Sequence, residues 1–244
     1  MTAIKTVDLT KKYNDLAAVN KLNLEIEEGE LFSLLGVNGA GKTTTIKMLS
    51  TLTAPTSGEA YVLGHDVKTE SDKVKEVIDV SMQETAIARK LTVEENVEFY
   101  AALSGQSKTE IETTKEYVFE AFSLKEVARR RACTLSGGWQ RKLSIALALV
   151  TKPKILFLDE PTLGLDVIAR RELWKTIREL KSKMTIILTT HYMEEAEALS
   201  DRIGVMKDGK LLFVGTKEEM FNVSGKSSVE DAFIEIVSGG KALV

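Results

Sequence analysis

The run Gly36-Val37-Asn38-Gly39-Ala40-Gly41-Lys42-Thr43 fits G-x-x-x-x-G-K-[ST], and it sits between a strand pattern and a helix pattern. Leu31-Phe32-Ser33-Leu34-Leu35 ahead of it reads as a short buried strand, and Ile46 and Leu49 behind it mark a helix. In that context the loop fixes the fold class, because it must join the C-terminal end of a sheet strand to the first turn of a helix. Its glycines let successive backbone N–H groups turn toward phosphate oxygens, and the helix N-terminus adds partial positive charge. Lys42 is then placed for the outer phosphates of a nucleotide and Thr43 for a Mg²⁺ ion, with Thr44 next in the first turn. An empty loop is expected to leave Lys42 facing solvent.

The remaining chain alternates strands with helices, which predicts an α/β fold with a mostly parallel sheet. Apolar residues two apart at Leu22, Leu24 and Ile26 suggest half-buried strands in an antiparallel part at the N-terminus. Further strands are expected at Glu59–Leu63, Ile78–Met82, Ile155–Leu158 and Thr185–Leu188, followed by a hairpin turning at Asp208-Gly209. Thr92-x-x-Glu95 and Ser107-x-x-Glu110 are capping boxes ahead of two helices, and a third helix is expected from about Gly137 to Val150. Leu173, Trp174, Ile177 and Leu180 stripe a crossover helix, and Val229, Ala232, Phe233 and Ile236 a last one. The three middle helices read as an insertion.

Two acids, Asp159 and Glu160, end the buried strand Ile155–Leu158, at the edge of the sheet where ligands bind in open α/β folds. Asp159 suits Mg²⁺, and Glu160 is left free to polarise an attacking water. Net charge is −3, so no basic excess points to nucleic acid. Cys133 is the only cysteine, which excludes an internal disulfide, and it is expected to pack as a small apolar residue. His65 and His191 have no metal-ligand spacing around them. No apolar run is long enough to span a membrane, and an acid at Asp8 precedes any apolar stretch, so the chain reads as cytoplasmic.

Leu135-Ser136-Gly137-Gly138-Trp139-Gln140 decides the class. Ser136 can cap the following helix while Gly137 and Gly138 leave N–H groups open to an anion. This segment, upstream of Asp159-Glu160, resembles the signature sequence of ABC ATPases. The resemblance runs from about Thr2 to Val237 with all motifs in order. It implies a P-loop NTPase (RecA-like) core, an N-terminal antiparallel β part and an inserted helical subdomain. It also implies one ABC ATPase domain over 1–237, with the core at 1–85 and 151–222, the helical subdomain at 86–150, and a short helix and tail at 223–244.

The same resemblance assigns roles by position. Tyr13 matches the aromatic residue that stacks on adenine, and Gly36 through Thr44 the ATP-binding loop. Gln83 matches the glutamine that touches Mg²⁺ and the water, joining Thr43 and Asp159 as metal ligands. Glu160 and His191 match the catalytic acid and the switch histidine. Ser136, Gly137, Gly138 and Gln140 match the residues that reach the ATP of a second subunit, and Asp166 the loop that contacts it. Val37 stands where proline is usual. Trp139 stands where many members have Gln, a replacement found in the efflux subgroup, and the Gly164–Arg171 and His191–Ala196 segments look most like the bacterial ABC-2 (drug, polysaccharide and sodium efflux) subgroup. The implied role is an ATP-hydrolysing subunit of an export system, working as a dimer on a separate permease. The alternative is a soluble ABC ATPase acting on ribosomes or DNA, whose members usually carry two cassettes or long coiled coils, features missing from this sequence. A GTPase switch would need Asn-Lys-x-Asp, and Asn20-Lys21-Leu22-Asn23 lacks the Asp.

Overall fold

In the computed structural model, which describes residues 1–239, the strand carrying the phosphate loop is wholly buried inside a six-stranded sheet. The chain opens with two long antiparallel strands, β1 (Thr2–Tyr13) and β2 (Leu16–Glu27). β3 (Leu31–Gly36) then leads through the loop into α1 (Lys42–Leu49). β4 (Ser57–Val62) and β5 (His65–Asp66) return to the first pair and complete a four-stranded antiparallel sheet ordered β2-β1-β4-β5. α2 (Ser71–Val77) runs into β6 (Ile78–Ser81), the edge of the larger sheet. Three helices follow, α3 (Val93–Leu103), α4 (Lys108–Ala121) and α5 (Gly137–Ala148). The chain re-enters the sheet with β7 (Ile155–Asp159), crosses by α6 (Val167–Lys181) to β8 (Thr185–Thr190), and passes through α7 (Met193–Leu199). The hairpin β9 (Arg202–Lys207) and β10 (Lys210–Gly215) and the helices α8 (Lys217–Ser224) and α9 (Val229–Gly239) close it.

The larger sheet is ordered β10-β9-β3-β8-β7-β6 and is parallel except at β10. Every residue of β3, β7 and β8 is buried, as continuous apolar runs require when both faces of a parallel sheet are covered. Alternation divides those residues between two cores. Leu31, Leu156, Leu158, Ile186 and Leu188 pack toward the three middle helices. Phe32, Leu34, Ile155, Phe157 and Ile187 pack toward α1 and the antiparallel sheet. Each such side chain contributes about 1.5–3 kcal/mol on burial, so both covers are strongly held to the strands whose ends carry the acids and the loop.

Both expected capping boxes are closed, Thr92 with Glu95 and Ser107 with Glu110. β6 ends at Ser81 rather than Met82, and α5 ends at Ala148 rather than Val150. α2, α7 and α8 are additions to the expected elements. They are only seven or eight residues long, too short for helical periodicity to announce them. Cys133 is exposed in a 3₁₀ turn ahead of α5, against the expectation that it packs inside, because the neighbouring Ala132 takes the buried position. Residues 240–244 of the expected tail lie outside the described residues. Among the described residues no helix is long and apolar enough to cross a membrane.

Candidate functional site

A cleft of ≈ 470 Å³ opens at the C-terminal ends of the parallel strands. Its wall contains Tyr13, Leu16, Ala18, Asn38, Gly39, Ala40, Gly41, Lys42, Thr43, Thr44, Gln83, Glu160, Leu163 and His191. Five segments far apart in sequence therefore converge there, three of them following wholly buried strands. Gly41 has φ 107°, and a Cβ there would lie 2.4 Å from the Ala18 carbonyl oxygen, so the turn into α1 admits only glycine. Tyr13 stands half-exposed at the β1–β2 turn, with the Lys11 ammonium 5.1 Å from its ring centroid. Gly36 and Val37 are not in the wall, but their carbonyl oxygens accept from Lys42 Nζ at 2.8 and 3.2 Å.

Lys42 does not face solvent. It is 5% exposed, held by those two carbonyls and by Glu160 Oε1 at 3.3 Å. The reason is electrostatic: an ammonium beside a buried carboxylate and two carbonyl dipoles gains more than it loses by leaving water. Glu160 is itself 8% exposed, and its Oε2 lies 2.5 Å from His191 Nδ1. Its backbone adopts φ 49°, a left-handed conformation uncommon outside glycine and frequent at functional positions. The turn is fixed by the Glu160 N–H donating to both the Thr189 carbonyl and the Thr189 hydroxyl, each at 3.1 Å.

Asp159 is fully buried behind the cleft wall. The Thr43 hydroxyl donates to its carboxylate at 3.0 Å, and the Thr189 hydroxyl donates to it at 2.5 Å. Thr43 and Asp159 thus bring hard oxygen donors together at the first turn of α1. No group of three or more His, Cys, Asp or Glu side chains forms a metal cluster among the described residues. That donor set fits Mg²⁺, which characteristically takes one or two protein carboxylates and completes its shell with water and substrate phosphate.

Arg141 is a site residue that sequence reasoning missed. It is 4% exposed on α5 and donates to three carbonyls of two segments: Met82 at 2.5 Å, Asp159 at 2.9 Å and Pro161 at 2.9 Å. Burial pushes its guanidinium down to about 10, opposed by the Asp159 and Glu195 charges, so it remains charged at neutral pH. One side chain ties the helix starting at Gly137 to the backbone leading to Gln83 and to both acids. The available signal was a cation at helical spacing on the buried face of α5, four residues before Ile145.

Ser136 caps α5, its hydroxyl accepting from the Trp139 N–H at 3.5 Å. Ser136 and Gly137 are exposed, and a Cβ on Gly137 would meet nothing within 4 Å. Gln140 is turned back on the Leu135 carbonyl at 3.0 Å, and Trp139 packs on the helical core with the Lys142 ammonium 4.7 Å from its ring. None of these residues is in the cleft wall. Asp166 is also outside it, capping α6 by accepting from the Ile168 and Ala169 N–H groups at 2.9 Å. The expected site residues therefore fall into two groups: a cleft, and a separate exposed helix end.

The sequence model of the ABC transporter family matches residues 19–163. The probable multidrug ABC transporter ATP-binding protein YbhF of Escherichia coli is 40% identical over 242 residues, covering 97% of this chain and 42% of the relative, so the chain spans less than half of that protein. The daunorubicin/doxorubicin resistance ATP-binding protein DrrA of Streptomyces peucetius is 40% identical over 226 residues, covering 92% of this chain and 68% of the relative. Among solved structures, an ATP-binding subunit of an ABC transporter superposes with TM-score 0.85 at 26% identity, over 96% of this chain and 99% of that one. A dimeric ATP-binding cassette in a post-hydrolysis state, bound to ADP and Pi, gives TM-score 0.78 at 27% identity, over 87% and 98%.

Proposed function

The chain belongs to the ABC transporter family as an ATP-binding subunit, and from that premise we propose that it hydrolyses ATP to drive an export system through a separate membrane permease. The observation that carries this reading is the separation of cleft and helix end. ATP seated in one cleft is reached by Ser136-Gly137-Gly138 only from a second copy packed head to tail, so the nucleotide joins the two subunits. Leu163, Val167 and Ile168, 40%, 63% and 72% exposed on either side of Asp166, offer apolar surface for that contact. Binding closes the homodimer, hydrolysis reopens it, and the permease follows. The helical segment 86–150 is the docking side, where a groove of ≈ 160 Å³ is lined by Met82, Ala86, Tyr100 and Leu147. The chain meets the inner face of the membrane only through that partner, and nucleic acid plays no part.

Within the cleft Tyr13 stacks on the adenine and the loop N–H groups from Asn38 to Thr44 cradle the phosphates. Thr43 and Asp159, with Gln83 in the cleft wall, would hold Mg²⁺, which when bound neutralises charge on the β- and γ-phosphates. Lys42 exchanges Glu160 for phosphate oxygens, which frees the Glu160 carboxylate to take a proton from the attacking water. His191 holds the other Glu160 oxygen in place.

Lys42→Ala tests the loop assignment. Losing a charged hydrogen-bond donor should weaken ATP binding by about 10- to 100-fold, from roughly 1.5–3 kcal/mol. It should also lower the melting temperature of the empty protein, because Glu160 keeps only His191, at about 2–4 °C per kcal/mol lost. Calorimetric ATP titration and thermal melting read both effects. Unchanged ATP affinity in a folded variant would remove Lys42 from the nucleotide site.

The transport reading is tested by co-expressing the chain with the membrane protein encoded beside it and purifying both in detergent. A stable complex whose ATP hydrolysis changes on reconstitution is expected. Co-purification with ribosomes, or with no membrane protein, would instead favour a soluble ABC ATPase.

A further inference from the structure

Behind the Glu160–His191 pair lies a carboxylate that the reaction scheme above does not use. Glu195, in the first turn of α7, is 0% exposed. Its Oε1 accepts from the Trp174 indole N–H of α6 at 3.0 Å, while its Oε2 has no hydrogen-bond partner. The hydroxyl of Thr162, two residues after Glu160, is also fully buried without a partner. Glu160 and Arg141 are the charges that act on the Glu195 carboxyl. A buried carboxyl held by one full hydrogen bond is costly as an ion, and burial pushes its pKa up.

The Trp174 bond joins α6 to the start of α7. Thr162 closes the turn after Glu160, with the Leu165 N–H donating to the Thr162 carbonyl at 3.1 Å. Trp174 lies on α6, the helix that Asp166 caps. Glu195 lies in the first turn of the helix that starts just after His191, and its own N–H donates to the Tyr192 carbonyl at 3.1 Å. Tyr192 N–H in turn donates to the Thr190 hydroxyl at 2.9 Å.

We propose that Glu195 is a positioning residue for hydrolysis: by tying the start of α7 to α6 through the Trp174 indole it fixes His191 in register, and so holds the Glu160–His191 pair together. It touches neither nucleotide nor water, since it is absent from the cleft wall. Glutamine in its place keeps a carbonyl acceptor for the Trp174 indole N–H, so the brace survives without a charge.

The proposal rests on the ATPase reading, and steady-state hydrolysis by the full chain with thermal melting separates the two. Wild type that hydrolyses no ATP overturns the ATPase reading itself. With active wild type, Glu195→Ala should lower kcat tenfold or more and leave KM within about twofold, because a group outside the cleft acts on the chemical step and not on binding. Glu195→Gln should stay within about threefold of wild-type kcat. Should Glu195→Ala fail to fold, Trp174→Phe, which keeps the ring and removes the indole N–H, carries the test, with kcat reduced threefold or more at constant KM. Wild-type kcat in Glu195→Ala or, if that variant fails to fold, in Trp174→Phe, a rise in KM equal to the loss in kcat, or loss in Glu195→Gln as deep as in Glu195→Ala would each overturn the positioning role.

Discussion

Glu160→Gln is expected to slow ATP hydrolysis by about 10²–10⁴-fold, the range of general-base contributions, or roughly 3–5 kcal/mol of barrier. Glutamine keeps the size and one carbonyl acceptor but cannot take a proton from water. Asp159, held by Thr43 and Thr189, is untouched by the change, so the metal-holding oxygens stay in place. The empty structure adds a second expectation. Lys42 is paired with Glu160 at 3.3 Å before nucleotide arrives, and a neutral side chain releases that hold. ATP affinity should therefore stay constant or rise while turnover falls. The closed dimer should then accumulate with two ATP, whereas wild type, which reopens with each turnover, should remain mainly monomeric. Size-exclusion with light scattering, alongside phosphate release, distinguishes these states. A variant that hydrolyses ATP normally and stays monomeric would strip Glu160 of its catalytic part and leave the acid pair as metal ligands only.

The cleft was legible because each of its segments carries its own local pattern. The phosphate loop advertises itself through glycines followed by Lys42-Thr43, and the acid pair through an unbroken apolar strand that stops at Asp159. Contacts between segments were less legible. The Glu160–His191 approach spans thirty-one residues, and nothing beside either residue announces it. Lys42 looked solvent-facing because a lysine in a loop usually is, and the carboxylate that draws it inward comes from another strand end. Arg141 was hidden for the same reason: its partners are backbone carbonyls, which any sequence supplies, brought together only by the ends of β6 and β7. Glu195 is a further case, an acid inside the run Glu194-Glu195-Ala196-Glu197, of whose three acids only Glu195 is buried. The fold class followed from alternation of strands and helices. The short helices α2, α7 and α8 did not, since seven or eight residues are held more by packing than by a repeating face.

Ser136→Arg should abolish hydrolysis, by about 10²–10³-fold or more, while ATP binding to the isolated subunit stays within about twofold of wild type. The asymmetry follows from placement. Ser136 is exposed at the start of α5 and lies outside the cleft wall, so an arginine there obstructs nothing in its own subunit's nucleotide site. In the closed dimer it stands between the partner's γ-phosphate and the open N–H groups at Gly137 and Gly138. Removing one preorganised donor from a developing charge costs about 10²–10³ by itself, and the added bulk keeps the whole helix end away. The folding cost is small: the Ser136 cap is long, at 3.5 Å, and losing such a cap costs about 0.5–2 kcal/mol. Complementation makes the test decisive. Ser136→Arg keeps a sound cleft and Lys42→Ala keeps a sound helix end, so a mixed dimer contains one complete site. Random mixing of the two inactive variants should therefore restore about a quarter of wild-type sites, half the dimers being mixed and each holding one of two. If the signature acted on the ATP of its own chain, every protomer in the mixture would carry one broken half, and mixing would restore nothing.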